Sequence, residues 1–337
     1  MSENDSNKPE NDSNKPENDS NKSESDILLE KLDDSDILEK KKAIFKIGEK
    51  KIAKAVPKLI SLLKNDKDPV VRNSAARALG KIGDREHLDQ IVEALIEALN
   101  DEDYYVRVNA CWGLGKIKDS RAIPHLVKMV DPDQRVYSMG NEIVQSTKEE
   151  QVSVKLKEEG MKFSDVIVEA IKALGKIKDP KALPVLIEAL KDESDGSVRC
   201  AAALAMGQIK DKSSVPYLIE ALDDKYWYVR RDAAKALSKL KAKSAKAAPM
   251  LARKMTDMYD EVRSFSLKAL IAIGKPAGTE IFKLFLNNPQ DPKLQKYISN
   301  NLTKQDLGEI LKNLIETERN PSKKQIYEEY LVKLATN

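Results

Sequence analysis

Only two histidines and two cysteines occur in the 337 residues, so metal or nucleophilic chemistry would have to be built around His87, His125, Cys111 or Cys200. Each histidine is followed by a leucine (Leu88, Leu126), no nucleophile motif accompanies either, and neither cysteine has a second one nearby. A Ser-His-Asp or Cys-His centre, a disulfide framework and a zinc ribbon therefore lack their residues. Gly80-Lys81, Gly115-Lys116 and Gly175-Lys176 lack the Gly-x-x-x-x-Gly-Lys-Ser/Thr frame that cradles a nucleotide phosphate. No catalytic residue, metal or cofactor is expected.

Recognition chemistry is better represented. Two columns one helical turn apart are mostly cationic, Arg77, Trp112, Lys172, Leu204, Lys235 and Lys268 in one and Lys81, Lys116, Lys176, Gln208, Lys239 and Ala272 in the other. Aromatics make up only 5% of the chain, yet Tyr104, Tyr105, Tyr226, Trp227, Tyr228 and Tyr259 all stand just before a recurrent Val-Arg pair, and Trp112 sits in the first cationic column. Tyr, Trp and Arg are the residue types that carry most interface energy. The expected partner-binding set is therefore Arg77, Lys81, Tyr104, Tyr105, Trp112, Lys116, Lys172, Lys176, Trp227, Tyr228, Lys235 and Lys239. A turn aromatic could instead cover the end of a neighbouring helix, and a lysine face could serve solubility alone.

The elements that position these residues repeat. Val-Arg recurs at Arg72, Arg107, Arg199, Arg230 and Arg263, and Ile167 fills the arginine slot of one further copy, which leaves mostly 31 to 35 residues between copies. That period is the mark of a solenoid. Each unit reads as two helices. Helix A carries x-Pro-x-Leu, as in Val56-Pro57-Lys58-Leu59 and Val215-Pro216-Tyr217-Leu218, and the proline predicts a short or bent helix. Helix B is Val-Arg-x-x-Ala-Ala-x-Ala-Leu-Gly, with its start marked by Asp68-Pro69 and by Asp103 and Asp195 in the same slot. The small columns of helix B (Ala75, Ala76, Ala78 and their equivalents, Cys111 among them) predict close helix packing, with Cys111 as core filler.

Asp-x-x-Val-Arg-x-x-Ala-Ala-x-Ala-Leu-Gly-x-Ile followed by x-Ala-x-Pro-x-Leu resembles the HEAT-like repeat of the phycobilisome lyase type over about residues 50 to 275. The resemblance implies an all-α superhelix of about eight helical hairpins in a right-handed stack, B helices on the concave face, and a structural ladder of recurrent Asp with Arg72, Arg107, Arg199, Arg230 and Arg263. Ile167 departs from that ladder. The deoxyhypusine hydroxylases, a related HEAT-like class, need paired His-Glu motifs for di-iron, and His87-Leu88 and His125-Leu126 exclude that activity.

Three segments depart from the repeat. Residues 1–25 carry three heptapeptide copies (NDSNKPE twice, then NDSNKSE) and a net charge of −4, with no aliphatic or aromatic side chain from Ser2 to Ser25, which predicts a disordered acidic leader. The chain total of +3 then leaves +7 on residues 26–337, the expected solenoid. An insertion at 131–163 separates helices A and B of one repeat, and its apolar residues suit either a tolerated insertion with its own short helix or a partner-specific element. Residues 276–337 read as degenerate capping helices.

The balanced charge, the two isolated cysteines and the lack of a long apolar run predict a soluble, cytoplasmic monomer with no membrane association. The expected function is a non-enzymatic scaffold that binds the acidic segment of a protein partner in a basic, aromatic-edged concave groove. Two alternatives remain at this stage: a bilin lyase-like subunit acting on a chromophore-bearing partner, which rests on the resemblance alone, and nucleic-acid binding through the same groove.

Overall fold

The computed structural model describes residues 22–131, 136–139, 142–145, 164–192 and 195–336. Helices α1 (Glu24–Glu30) and α2 (Ile37–Lys50) form the first hairpin. Helices α3 (Val56–Asn65) and α4 (Pro69–Ile82) form the second, and α5 (Leu88–Glu97) and α6 (Tyr104–Ile117) the third. The fourth pairs α7 (Ile123–Val130) with α8 (Ser164–Ile177) across the insertion. Then come α9 (Leu183–Leu190) with α10 (Gly196–Ile209), α11 (Val215–Glu220) with α12 (Trp227–Leu240), and α13 (Ala248–Arg253) with α14 (Asp260–Ile273). Helices α15 (Gly278–Asn287), α16 (Pro292–Asn301), α17 (Lys304–Thr317) and α18 (Pro321–Thr336) close the array around their own cluster of Phe282, Leu311, Leu314 and Tyr327. Seven hairpins and two terminal helix pairs thus stand, among the described residues, where about eight repeats are expected.

Local chemistry explains the helix starts. Asp68, Asp103 and Asp195 each cap a B helix by accepting a backbone N–H from its first turn. Helix A opens with a single 3-10 turn whose capping aspartate is Asp119, Asp179 or Asp211, and its proline then occupies the first turn, where no helical partner is lost. The B helices end on a left-handed residue, Gly83 after α4 but a lysine at Lys51, Lys118, Lys178 and Lys210.

The B helices α2, α4, α6, α8, α10, α12 and α14 stack on one another in chain order. Their small columns allow it. A Cβ placed on Gly80 would lie 2.5 Å from the Gly113 Cα, one on Gly115 would lie 2.8 Å from the Ala173 Cα, and one on Gly207 would lie 2.7 Å from the Ala236 Cα. Between the two helical layers runs one continuous core that includes Leu59, Leu79, Leu95, Leu114, Leu126, Leu174 and Leu186, all fully buried.

Two segments differ from the sequence-based expectation. Helix α1 begins at Glu24, inside the 1–25 leader. The third heptapeptide has Ser23 where the first two have Pro9 and Pro16, and Ser23 is the N-cap, its hydroxyl accepting from the Asp26 N–H. A proline-to-serine difference between copies thus turns a polar repeat into a helix start, which the buried Leu28 then anchors. In the insertion, β1 (Val136–Met139) and β2 (Glu142–Gln145) form an antiparallel pair with Val136 opposite Gln145. The remaining insertion residues, 132–135, 140–141 and 146–163, lie outside the described residues, as do residues 1–21.

Candidate functional site

At the N-terminal ends of the B helices, arginines and aspartates form a ladder. Arg72 donates from Nε and Nη2 to the two carboxylate oxygens of Asp101, both at 2.9 Å, and from Nη1 to the Asp66 and Lys67 carbonyls. Arg199 grips Asp224 in the same bidentate way, and Arg230 grips Asp257. Each of these carboxylates also accepts the N–H two residues on, at Asp103, Tyr226 and Tyr259, so one side chain ties a turn and joins two repeats. Arg107 and Arg263 donate to the Asp101 and Asp257 carbonyls respectively. A member that the arginine pattern does not reveal is Lys40, which occupies the equivalent slot in α2 and pairs with Asp66 at 3.1 Å. Ile167, buried in α8, separates the run from Lys40 to Arg107 from the run from Arg199 to Arg263, and it does so next to the insertion.

Several aromatics take part in this framework, although Tyr226 and Tyr259 remain 41% and 37% exposed. The Tyr104 hydroxyl donates to Asp165 at 2.8 Å, joining α6 to α8, and burial together with that carboxylate pushes its pKa well above the usual phenol range. Tyr226 and Tyr259 stand at the N-cap positions of α12 and α14, where they replace the capping aspartate and lie over the guanidinium groups of Arg199 (5.5 Å) and Arg230 (5.8 Å). Tyr228 stacks on Tyr226 and covers Gly196, where an added Cβ would lie 2.4 Å from the Tyr228 hydroxyl oxygen. Trp227 stacks on Tyr259 at 5.3 Å and beneath Arg231. Tyr104, Trp227 and Tyr228, grouped by sequence with partner-binding residues, are thus engaged in packing between repeats. Tyr105 differs, at 62% exposed.

At the opposite, C-terminal ends of α2, α4 and α6 lies a cavity of about 580 Å³ lined by Gly48, Glu49, Lys51, Gly80, Lys81, Ile82, Gly83, Arg85, Leu88, Trp112, Lys116 and Ile117. The close approach of Gly80 to Gly113 sets the spacing of α4 and α6 beneath it. Trp112 forms an aromatic wall with Arg77 4.8 Å and Lys116 5.6 Å from the ring centroid. Lys81 lies 4.8 Å from the ring of Phe45, an exposed aromatic on α2 that occupies the same column as Arg77 and Trp112. Lys81 is also ion-paired with Glu49, and its side chain is only 20% exposed. Lys51, Arg85 and Lys116 are exposed and have no carboxylate partner among the described residues.

Further along, the cationic columns are engaged differently. Lys172 and Lys176 share Glu169, at 3.1 and 3.6 Å. Lys235 is half-buried beside the Phe265 ring. Burial and the like charges of Lys235, Lys210 and Lys178 depress the pKa of Lys239. Lys51, Arg85 and Lys116 stand unpaired with any carboxylate among the described residues near the Trp112 wall, and further along the array Lys235 and Lys268 flank the Phe265 ring.

Neither cysteine is activated. Cys111 is fully buried and its thiol pKa is pushed far up by burial, while burial followed by Asp232 pushes that of Cys200 up to about 12. Asp84, Glu86 and His87 bring one potential metal-binding atom each to within 4.8 Å of one another, a grouping that the sequence reading did not include. Asp84 fills the capping slot of Asp119, Asp179 and Asp211, accepting the His87 N–H and contacting Nδ1 at 2.7 Å, so capping accounts for its position.

The HEAT-repeat model matches residues 25–95, 86–139 and 161–238, more than half of the chain. The chain belongs to the HEAT-repeat family. Among solved structures it is similar to the complex of CpcE and CpcF of phycocyanin lyase from a Nostoc species, at 24% identity over 86% of this chain and 98% of that one, with a TM-score of 0.46. It is also similar to an engineered protein (20% identity, 94% and 100% covered, TM-score 0.37) and to YibA of Escherichia coli (18%, 93% and 92%, 0.41). None of these three likenesses carries an argument about activity or partner. A search of curated proteins finds no match. No helix among the described residues is long and apolar enough to cross a membrane.

Proposed function

We propose that this HEAT-repeat protein is a non-enzymatic scaffold that holds an acidic segment of a protein partner against the C-terminal ends of α2, α4 and α6. The observation that carries the reading is the cavity in which Lys51, Arg85 and Lys116, free of carboxylates among the described residues, surround the Trp112 wall. Three unopposed cations favour an anionic ligand, while an indole face and the aliphatic edges of Leu88 and Ile117 favour a segment that also presents a flat or apolar side chain. An extended peptide suits the site because Lys51, Arg85 and Lys116 follow one another at the ends of three successive stacked helices.

The test is the affinity of a fluorescent oligoglutamate peptide carrying one tryptophan, measured by anisotropy at low and physiological salt. Charge reversal at Lys51, Arg85 and Lys116 together is expected to weaken binding at least tenfold while leaving the circular dichroism spectrum and unfolding midpoint unchanged, since all three side chains are exposed. Equal affinity in the reversed variant refutes the site. Tighter binding of single-stranded nucleic acid than of the peptide, falling steeply with salt, would favour the nucleic-acid alternative. A shifted bilin absorbance on mixing, lost in a Trp112→Ala variant, would instead favour a lyase-like role.

A further inference from the structure

We infer that the partner segment is an extended strand in which acidic and apolar side chains alternate, the acids directed to the cavity cations and the apolar side chains to an exposed row formed by Leu38, Val70 and Tyr105. The inference rests on the reading of the cavity as a docking site and adds the pattern that the partner must carry.

The first argument is register. Two positions before the ladder residues Lys40, Arg72 and Arg107 stand Leu38, Val70 and Tyr105, on α2, α4 and α6. They are 57%, 39% and 62% exposed. Seven positions further along each helix come Phe45, Arg77 and Trp112, and eleven further along come Glu49, Lys81 and Lys116, three of the cavity-lining residues. At 3.6 residues per turn, steps of seven and eleven return to within about 20° of the same face. One face of three stacked helices therefore runs from an apolar row, over Phe45, Arg77 and Trp112, to the cavity.

The second argument is that the row and the cavity end together. On α8 the slot of Leu38, Val70 and Tyr105 is filled by Asp165, which accepts from the Tyr104 hydroxyl. On α10, α12 and α14 it holds Ser197, Tyr228, which is stacked on Tyr226, and Glu261. Among the described residues, an exposed large apolar side chain occurs in this slot on the same three helices that form the cavity. Two footprints with the same boundary fit one bound segment.

Dimensions and charge supply the third. Packed helices lie about 8–10 Å apart, so crossing from α2 to α6 takes about 16–20 Å, or roughly five to six residues of a strand at about 3.3 Å each. With a rise of about 1.5 Å per residue, the apolar row and the row ending in Lys116 lie about 16 Å apart. Successive side chains of a strand point to opposite sides. A strand laid over the middle row thus sends every second side chain toward Lys51, Arg85 and Lys116 and those between toward Leu38, Val70 and Tyr105. Arg77, in the middle row, donates to the Asn109 Oδ1 at 3.2 Å and lies over the Trp112 ring, which adds a positioned cation beneath the segment. Tyr105 is also positioned in advance: its ring meets that of Tyr104 edge-on at 5.1 Å, and Tyr104 is tied to Asp165, so less side-chain freedom is lost on binding.

The experiment compares two fluorescent heptapeptides of identical composition on the full chain by anisotropy: one alternating glutamate with valine, the other carrying all its valines at one end. The alternating peptide is expected to bind roughly tenfold more tightly, because it alone covers the apolar row while its acids meet the cations. A variant carrying Leu38→Ser, Val70→Ser and Tyr105→Ser, all on exposed side chains, should lose that preference while keeping its circular dichroism spectrum and its affinity for oligoglutamate. Equal binding of the two heptapeptides, with oligoglutamate binding still dependent on Lys51, Arg85 and Lys116, overturns the apolar row and leaves the docking site standing. A preference for the alternating peptide that survives in the serine variant also overturns it, since the discrimination then arises elsewhere. Failure of every peptide to bind through the three cations overturns the docking site itself, and the pattern with it.

Discussion

Replacing Gly80 by alanine is the most direct probe of how the cavity floor is set. The added Cβ would lie 2.5 Å from the Gly113 Cα and 3.3 Å from the Trp112 ring, and the first of these is backbone that cannot turn aside. Helices α4 and α6 must then move apart by close to an ångström, and overpacking of this kind costs about 1–3 kcal/mol. Alanine in a helix interior returns about 1 kcal/mol relative to glycine, so a net loss of roughly 1–2 kcal/mol is expected. Gly113 supplies the control. Its added Cβ meets no backbone closer than the Gly80 Cα at 3.4 Å, and its tightest contact is a side-chain methyl, the Leu95 Cδ1 at 3.0 Å, which needs to give by only a few tenths of an ångström. A cost of about 1 kcal/mol for that contact against the same gain of about 1 kcal/mol should leave Gly113→Ala within about 0.5 kcal/mol of wild type. Urea unfolding followed by far-ultraviolet circular dichroism measures both, and Trp112 fluorescence reports whether the wall has shifted. A Gly80→Ala protein as stable as Gly113→Ala would show that α4 and α6 are not in the close contact on which the cavity geometry depends.

The ladder and the aromatic framework yield two more expectations. Burial opposes ionisation of Asp257, but the Arg230 guanidinium and the Tyr259 N–H outweigh it and hold the carboxyl below the usual range. A depressed folded-state pKa contributes stability above the unfolded value of about 3.9 that disappears as pH falls through the folded one, so wild type should lose stability more steeply than Asp257→Ala below about pH 4. At neutral pH the same substitution strands a largely buried Arg230 and should cost about 2–4 kcal/mol in a urea melt; a cost under 1 kcal/mol would contradict a structural ladder. Tyr104→Phe removes an exposed hydrogen bond to Asp165 and should cost about 0.5–1 kcal/mol while leaving oligoglutamate affinity unchanged; loss of binding without loss of stability would favour Tyr104 as part of the docking surface.

Much of the architecture is legible without coordinates because it is periodic. The Val-Arg spacing, the Asp-Pro starts and the small columns of helix B each state a local requirement, a cap, a first turn or a close approach, and the same requirement recurs in every unit. Helix α1 escapes that reading because its start depends on one serine in place of a proline within a polar repeat. Lys40 escapes it because a lysine does the arginine's work in the first ladder position, and only its meeting with Asp66, 26 residues away, identifies it.

What lies on which face of a helix follows from 3.6-residue periodicity, so the sequence alone determined the helical class, the repeat and the cationic columns. Which of those cations are free is a property of pairs that approach through space. Glu49 reaches Lys81 from the preceding repeat, while Glu169 takes up both Lys172 and Lys176 within its own helix. Asp165 holds Tyr104 across 61 residues, and Tyr259 covers Trp227 from the next repeat. A side chain's charge and area are written in its type, but their availability depends on neighbours brought together only by stacking, and it is the tertiary structure that leaves Lys51, Arg85 and Lys116 open beside Trp112.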